Sequence, residues 1–283
     1  KESSAASDVY KRQATANGSE SARQARTVVS KYILDQLIRE GVIDHNPLRG
    51  ISIDLGEVKK GNKPQGGHAL TNAQYDAVVD HLIARDTARP LPPGTDRRAS
   101  SIAKHGNVVA LALLQAGTGL RISEALAATR QSVKVANGQI AISITSDQSK
   151  THRGRSIPFL DKRVEKFWLN RLDGLGTTDP LIPSPGDKQA HWRTDNAVKA
   201  SAALFKDVGA QVQDDHIALM RSHDWRTVLN NRAIARGVPA QVRAAYFGHD
   251  VDVNTRNYTD WTDVDAMRGA LNPVSYTHLR AHE

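Results

Sequence analysis

Cysteine is absent from this 283-residue chain, which excludes a disulfide framework and any thiolate zinc site. That absence fits an intracellular protein. No apolar run approaches the roughly 18 to 20 residues that a membrane helix needs. The longest, Val108 to Leu114, reads as a buried helix. The sequence shows no internal repeat, no metal-ligand cluster and no nucleotide-binding glycine-rich loop. It opens on Lys1 rather than Met, so a signal peptide is not open to test.

Positive charge is in excess. Lys and Arg number 38 against 30 Asp and Glu, for a net charge of +8 and a pI near 9.7. Such a balance points to nucleic acid or an anionic membrane surface and is silent about fold. Hydrophobic residues at 39% suffice for a core, and the length allows one large domain or two ordinary ones.

The two ends stand apart from the rest. Asp8-Val9-Tyr10-Lys11-Arg12-Gln13 and the tail from Val274 to Glu283 resemble translated sequencing-library adapters. A match at both ends favours artefact over coincidence. Residues 1–13 and 274–283 are therefore expected to be foreign and 14–273 the biological segment. Tyr10, Tyr276, His278 and His282 then leave the list of candidate site residues.

Between those ends the periodicity is mostly helical. Ala25, Val28, Val29, Tyr32, Ile33, Leu37 and Ile38 recur at helical spacing and predict a long helix over 18–43, with Gly41 as its stop and a turn at 44–47. Residues 53–69 carry Lys59, Lys60, Lys63, four glycines and a proline, and read as a linker. Thr71 with Gln74 makes a capping box for a helix to about Arg85. The polar, proline-bearing stretch 86–106 is expected to be a loop, 107–116 a helix, and Gly117-Thr118-Gly119 a turn. Gln139–Ile144 and Arg155–Phe159 alternate as strands, with the 146–154 loop between them. Helices are expected over 161–172, 194–208, 222–236 and 239–247, with a short one around Tyr258. The class is mainly α with a small antiparallel β-sheet, α+β.

Five residues stand out on this frame. Gly119-Leu120-Arg121-Ile122-Ser123-Glu124 places Arg121 and Glu124 one helical turn apart, either as a surface ion pair or as a carboxylate holding a guanidinium for a phosphate. Ser222 reads as the cap of a helix in which Trp225, Val228 and Leu229 are buried. His223 and Arg226 share its other face, which taken alone suits a solvated basic surface. Gly248-His249 follows, and Tyr258 lies nine positions further on. A phenol with an ordinary pKa near 10 needs a base and positive charge nearby before it can attack. Lys150, His152, Arg153 and Arg155 make a basic hairpin; Lys134 is a poorer candidate because it precedes the first strand.

Together these segments resemble the tyrosine recombinases, the phage integrase family. The likeness covers roughly 18–52 and 70–265. It departs at Trp225, where Leu is usual, at Thr227, where His or Arg is common, and at Asp260, where His is frequent. The resemblance implies a catalytic domain over 70–273, preceded by a C-terminal remnant (14–52) of a truncated helical core-binding domain. It implies metal- and ATP-independent cleavage and rejoining of DNA through a 3′-phosphotyrosyl bond, with no cofactor. Tyr258 would be the nucleophile, and Arg121, Arg226 and His249 would stabilise the transition state. His223 would handle the tyrosine proton, and Lys150 would protonate the leaving oxygen. Glu124 would hold Arg121, and Lys150, His152, Arg153 and Arg155 would touch DNA. The implied partners are double-stranded DNA, further protomers in a homotetramer when the chain is full length, and accessory DNA-bending proteins. The implied location is the cytoplasm of a bacterium or phage host, with no membrane. A type IB topoisomerase has the same residues and chemistry, and a catalytically silent DNA-binding module is the reading from another class.

Overall fold

Leucine, valine and alanine on every side of one helix decide the architecture. In the computed structural model, which describes residues 25–49, 69–88, 99–258 and 267–268, the stretch from Asn107 to Thr118 is buried throughout. The chain separates into two compact units, Lys1–Lys63 and Pro64–Glu283.

In the first unit a π-helical stretch, Val28–Leu34, runs into α1 (Asp35–Arg39), and Gly41 ends the helix at φ +69°. The amide of buried Asn46 donates to the Ser30 carbonyl and to the Asp35 carboxylate, which fastens the turn expected at 44–47. Val28, Tyr32 and Ile33 are exposed, so the apolar stripe read there is not a buried one. The adapter-like ends, residues 14–24 and almost all of the expected linker lie outside the described residues.

The second unit is built around α3 (Ala99–Thr118). Five helices pack against it: α2 (Asn72–Ala88), α4 (Ile122–Ala127), α5 (Lys162–Leu172), α6 (Thr194–Val212) and α8 (Asp224–Ala235). Each fully buried Leu or Val there contributes about 1.5–3 kcal/mol. The Thr71–Gln74 capping box forms, with both reciprocal bonds in place. The expected loop over 86–106 is overturned at both ends, because α2 runs to Ala88 and α3 starts at Ala99. All three prolines of that stretch lie at 90–93, and polar residues alone do not break a helix. Gly117 and Thr118 likewise belong to α3, which leaves Gly119 as the turn.

Three antiparallel strands form the main sheet in the order β1-β2-β3: β1 (Val133–Ala136), β2 (Gln139–Ile144) and β3 (Arg155–Pro158). Ile142 pairs with Val133 on one side and Ile157 on the other, so Ile140, Ile142 and Ile144 all face the core. The strand pair predicted from alternation is present; β1 went unread because four residues carry too little pattern. A small hairpin of β4 (Pro183–Ser184) and β5 (Asp187–His191) was also unread, as was the short α7 (Asp215–Ala218). The chain then passes through α8, α9 (Ala240–Phe247) and α10 (Val251–Tyr258). Ser222 does not cap α8. Its hydroxyl donates inward to Gln115 Oε1 at 2.7 Å, and His223 occupies the cap position. Among the described residues, no helix is long and apolar enough to cross a membrane.

Candidate active site

Arg226 is the centre of the site, and it is 1% exposed. Trp225, Val228 and Leu229 anchor α8 in the core as read from the sequence, but the face carrying Arg226 is covered too. The solvated basic face is therefore overturned for Arg226: the α3–α4 turn and the end of α9 close over it. An unpaired buried charge would be costly. Both terminal nitrogens of Arg226 are instead engaged, Nη1 donating to the Gly119 carbonyl at 2.7 Å and Nη2 to the Phe247 carbonyl and to His249 Nε2, the last at 2.8 Å. Its guanidinium carbon lies 5.4 Å from the Phe247 ring centroid and 5.5 Å from that of Tyr258. Burial, then the charge of Arg121, brings its pKa down to about 10, which still leaves it charged at neutral pH.

Arg121 stands at the N-cap of α4, near enough for its charge to bear on Arg226. One carboxylate holds it there. Glu124 is fully buried and accepts from Arg121 Nη1 at 2.9 Å, from the Arg121 backbone N–H at 3.0 Å and from Arg155 Nη2 at 2.8 Å. Burial alone would raise the Glu124 pKa; the Arg155 hydrogen bond and charge, with the Arg121 backbone bond, outweigh it and lower the pKa.

Arg155 was expected on the DNA face, and here the structure corrects the sequence reading. Its side chain is 8% exposed, bonded to Glu124 and, through Nε, to the Tyr246 carbonyl at 3.2 Å. The buried carboxylate draws it inward. Gly248 sits beside it at φ +66°, where a Cβ would come within 2.8 Å of Arg155 Nη1. Gly119 has the same double constraint, with φ +64° and a Cβ that would stand 2.7 Å from Phe247. Glycine at both places lets the Arg121 turn and the His249 turn close on the same guanidinium, Arg226.

His249 follows Gly248 and is buried. Arg226 can only donate, so Nε2 of His249 accepts and the ring proton sits on Nδ1. That Nδ1 is buried and unpaired among the described residues, as are Arg226 Nε and Arg155 Nη1. Burial, followed by the charges of Arg226, Arg121 and Arg155, pushes the His249 pKa down to about 2, so the ring is neutral at physiological pH. Buried donors with nothing to bind suit an anionic ligand.

Tyr258 closes the site on α10. Its ring stacks on His249 with centroids 4.3 Å apart and planes 7° from parallel, and its hydroxyl lies 3.0 Å from His223 Nε2. Desolvation lowers the His223 pKa below that of an ordinary imidazole, helped by Arg226, Arg121 and Lys150, so the ring is neutral at pH 7 and free to accept a proton. Among the described residues, the other tyrosines of this unit are spoken for. Tyr75 and Tyr246 donate to the carbonyls of Ala116 and Pro158, and burial raises both phenols above their ordinary range.

Lys150 is exposed in the β2–β3 loop, close enough for its charge to bear on His223. Thr151 donates to the Gly248 carbonyl at 3.3 Å and Arg153 pairs with Asp250 at 2.9 Å, which holds the loop against the His249 turn. His152 is exposed at φ +53°. The fold thus brings Arg121, Glu124, Lys150, His223, Arg226, His249 and Tyr258 together, and turns Arg155 inward beneath them. Sequence reasoning missed Gln115 and Asn230, whose amide donates to the Tyr258 carbonyl at 2.6 Å. A buried amide within an apolar helix is the signal that could have found Gln115. Among the described residues, no group of three or more His, Asp or Glu side chains forms a metal-binding cluster.

The phage integrase family profile matches residues 99–264, more than half of the chain. The chain belongs to the phage integrase family. Solved structures agree on the fold. The Tn1549 transposon integrase in complex with circular intermediate DNA is 15% identical, with a TM-score of 0.54 over 93% of this chain and 82% of that one. A second complex of that integrase gives a TM-score of 0.57 at 14% identity, over 94% and 83%. XerH site-specific recombinase bound to its palindromic difH substrate is 17% identical, with a TM-score of 0.50 over 77% of this chain and 55% of that one. Identities this low speak for the integrase fold alone. Among curated proteins, no sequence matches.

Proposed function

We propose that this phage integrase family member is a site-specific DNA recombinase that cleaves and rejoins DNA through a 3′-phosphotyrosyl intermediate. The observation that carries the reading is the 3.0 Å contact between His223 Nε2 and the Tyr258 hydroxyl, with Arg226 and His249 packed around the same phenol. His223 takes the phenol proton as the Tyr258 oxygen attacks phosphorus. Arg121, Arg226 and the Nδ1–H of His249 bind the non-bridging oxygens as charge builds on them. The bond from phosphorus to the 5′ oxygen breaks, and Lys150 protonates that oxygen as it leaves as a hydroxyl. Rejoining runs these steps backward: the free 5′ hydroxyl attacks, and Tyr258 recovers its proton from His223. Glu124 holds Arg121 in register without touching DNA. Lys150, His152 and Arg153 face DNA. No cofactor enters the scheme.

Residues 14–52 are proposed as the end of a core-binding domain and 70–273 as the catalytic domain, acting in the bacterial or phage-host cytoplasm. The full-length protein is proposed to act on double-stranded DNA as a homotetramer, with accessory DNA-bending proteins. The test is a nicked substrate incubated in EDTA without ATP. A covalent 3′-phosphotyrosyl adduct is expected, absent in Tyr258→Phe although that variant still binds DNA. An adduct that survives the substitution removes Tyr258 as nucleophile. Relaxation of supercoils without pairing of two sites indicates a topoisomerase. Binding without any adduct indicates a non-catalytic module.

A further inference from the structure

Gln115 is 1% exposed, on the last turn of α3, and its side chain lies outside the set of groups proposed to meet the phosphate. Its side chain nevertheless reaches both halves of the site. Nε2 donates to the Leu120 carbonyl at 2.9 Å, one residue before Arg121. Oε1 accepts from the Ser222 hydroxyl at 2.7 Å, one residue before His223. The partners fix the amide's orientation, since a carbonyl only accepts and the remaining amide oxygen must then receive the hydroxyl proton. Arg226 grips the neighbouring Gly119 carbonyl, so both carbonyls ahead of Arg121 are held by buried side chains.

We propose that Gln115 is a positioning residue that sets the separation of the two arms carrying Arg121 and His223. A buried polar bridge among apolar neighbours has a definite length, whereas apolar packing alone lets two turns slide. Each of its bonds is also costly to leave half-made, because a buried amide atom without a partner has given up its water and gained nothing in exchange. The bridge therefore acts as a spacer between a cation that grips the phosphate and a base that takes the proton. A misplacement of about 1 Å in such a pair costs on the order of a hundredfold in rate.

The experiment uses the whole chain. Gln115→Met keeps the volume and removes both bonds, Ser222→Ala removes one, and Ser222→Thr keeps the hydroxyl. The His223 ring signal is followed by NMR through a pH titration, assigned by its loss in His223→Gln. Facing that ring are Arg121 from α4, Arg226 from its own helix, Lys150 from the β2–β3 loop and the Tyr258 hydroxyl from α10. Single-turnover cleavage of the nicked substrate is measured alongside.

In Gln115→Met and Ser222→Ala the His223 midpoint is expected to move upward as Arg121 draws away. Cleavage is expected to slow roughly ten- to hundredfold with DNA affinity unchanged, and Ser222→Thr to restore both. If Gln115→Met does not fold, Ser222→Ala decides alone. An unmoved midpoint in a folded variant overturns the proposal, and so does a moved midpoint with wild-type cleavage. Only the kinetic arm rests on the recombinase reading. A moved midpoint in a protein whose wild type forms no adduct keeps the spacer and removes that reading.

Discussion

Arg226 donates to His249 at 2.8 Å, and that one bond decides which nitrogen of the imidazole carries its proton. A guanidinium cannot accept, so Nε2 presents its lone pair and Nδ1 is left as a donor with no partner among the described residues. The arrangement makes His249 a neutral donor beside a buried cation, and leaves His223 as the imidazole able to exchange a proton with Tyr258. The division of labour between two histidines thus follows from burial and from one neighbour.

Arg226→Lys is expected to lower single-turnover cleavage by at least about a hundredfold, the scale for losing a transition-state charge donor. An ammonium cannot reach the Gly119 carbonyl, the Phe247 carbonyl and His249 at once in the planar fork seen here. DNA affinity in a gel-shift assay should change far less than the rate.

The pH dependence separates the two histidines. His223 has a lowered pKa, so it is the free base above its midpoint, and cleavage should fall as pH drops through a value below 6.5. His223→Gln should remove that acid limb. His249→Gln should lower the rate at every pH yet leave the limb in place, because His249, with a pKa of about 2, does not titrate in this range.

Stability should follow pH in the same direction. Both rings bind protons more weakly in the folded chain, so the unfolded chain takes up more protons once pH falls below about 6.5. This contribution is fully present above that pH and is lost progressively toward a pH of about 2. The melting temperature is expected to drop between pH 7.5 and 5, and His249→Gln should flatten the drop. A steeper drop in that variant would contradict the assignment.

Glu124→Gln is expected to cost about 3–5 kcal/mol in urea unfolding, as breaking a buried ion pair leaves its partners uncompensated. Two guanidiniums, Arg121 and Arg155, lose their shared carboxylate in this variant. Adduct formation should fall with it.

Arg155 and Arg153 should part company in a salt titration of DNA binding. Arg153→Ala removes an exposed cation and is expected to reduce the slope of log affinity against log salt by about one. Arg155→Gln should leave that slope alone and lower stability instead, since its side chain serves Glu124 and the Tyr246 carbonyl. Matching slopes for the two variants would return Arg155 to the DNA face.

Sequence alone made much of this protein legible because its signals are local. Helical period placed Trp225, Val228 and Leu229 on one side of α8 and His223 with Arg226 on another. Strand alternation found β2 and β3, and the Thr71–Gln74 box found the start of α2. The Gly-Leu-Arg-x-Ser-Glu run, with the two histidine segments and the nine-residue step to Tyr258, pointed to the integrase family. What only the tertiary structure decided concerns partners far apart in the chain. Arg155 lies 31 residues from Glu124, and Ser222 lies 107 from Gln115. A helical face is solvated or buried according to what packs on it, which is why His223 stays exposed while Arg226, one turn away, is enclosed. Periodicity records which side chains point the same way; the charge state, tautomer and orientation of each depend on neighbours that folding brings from elsewhere.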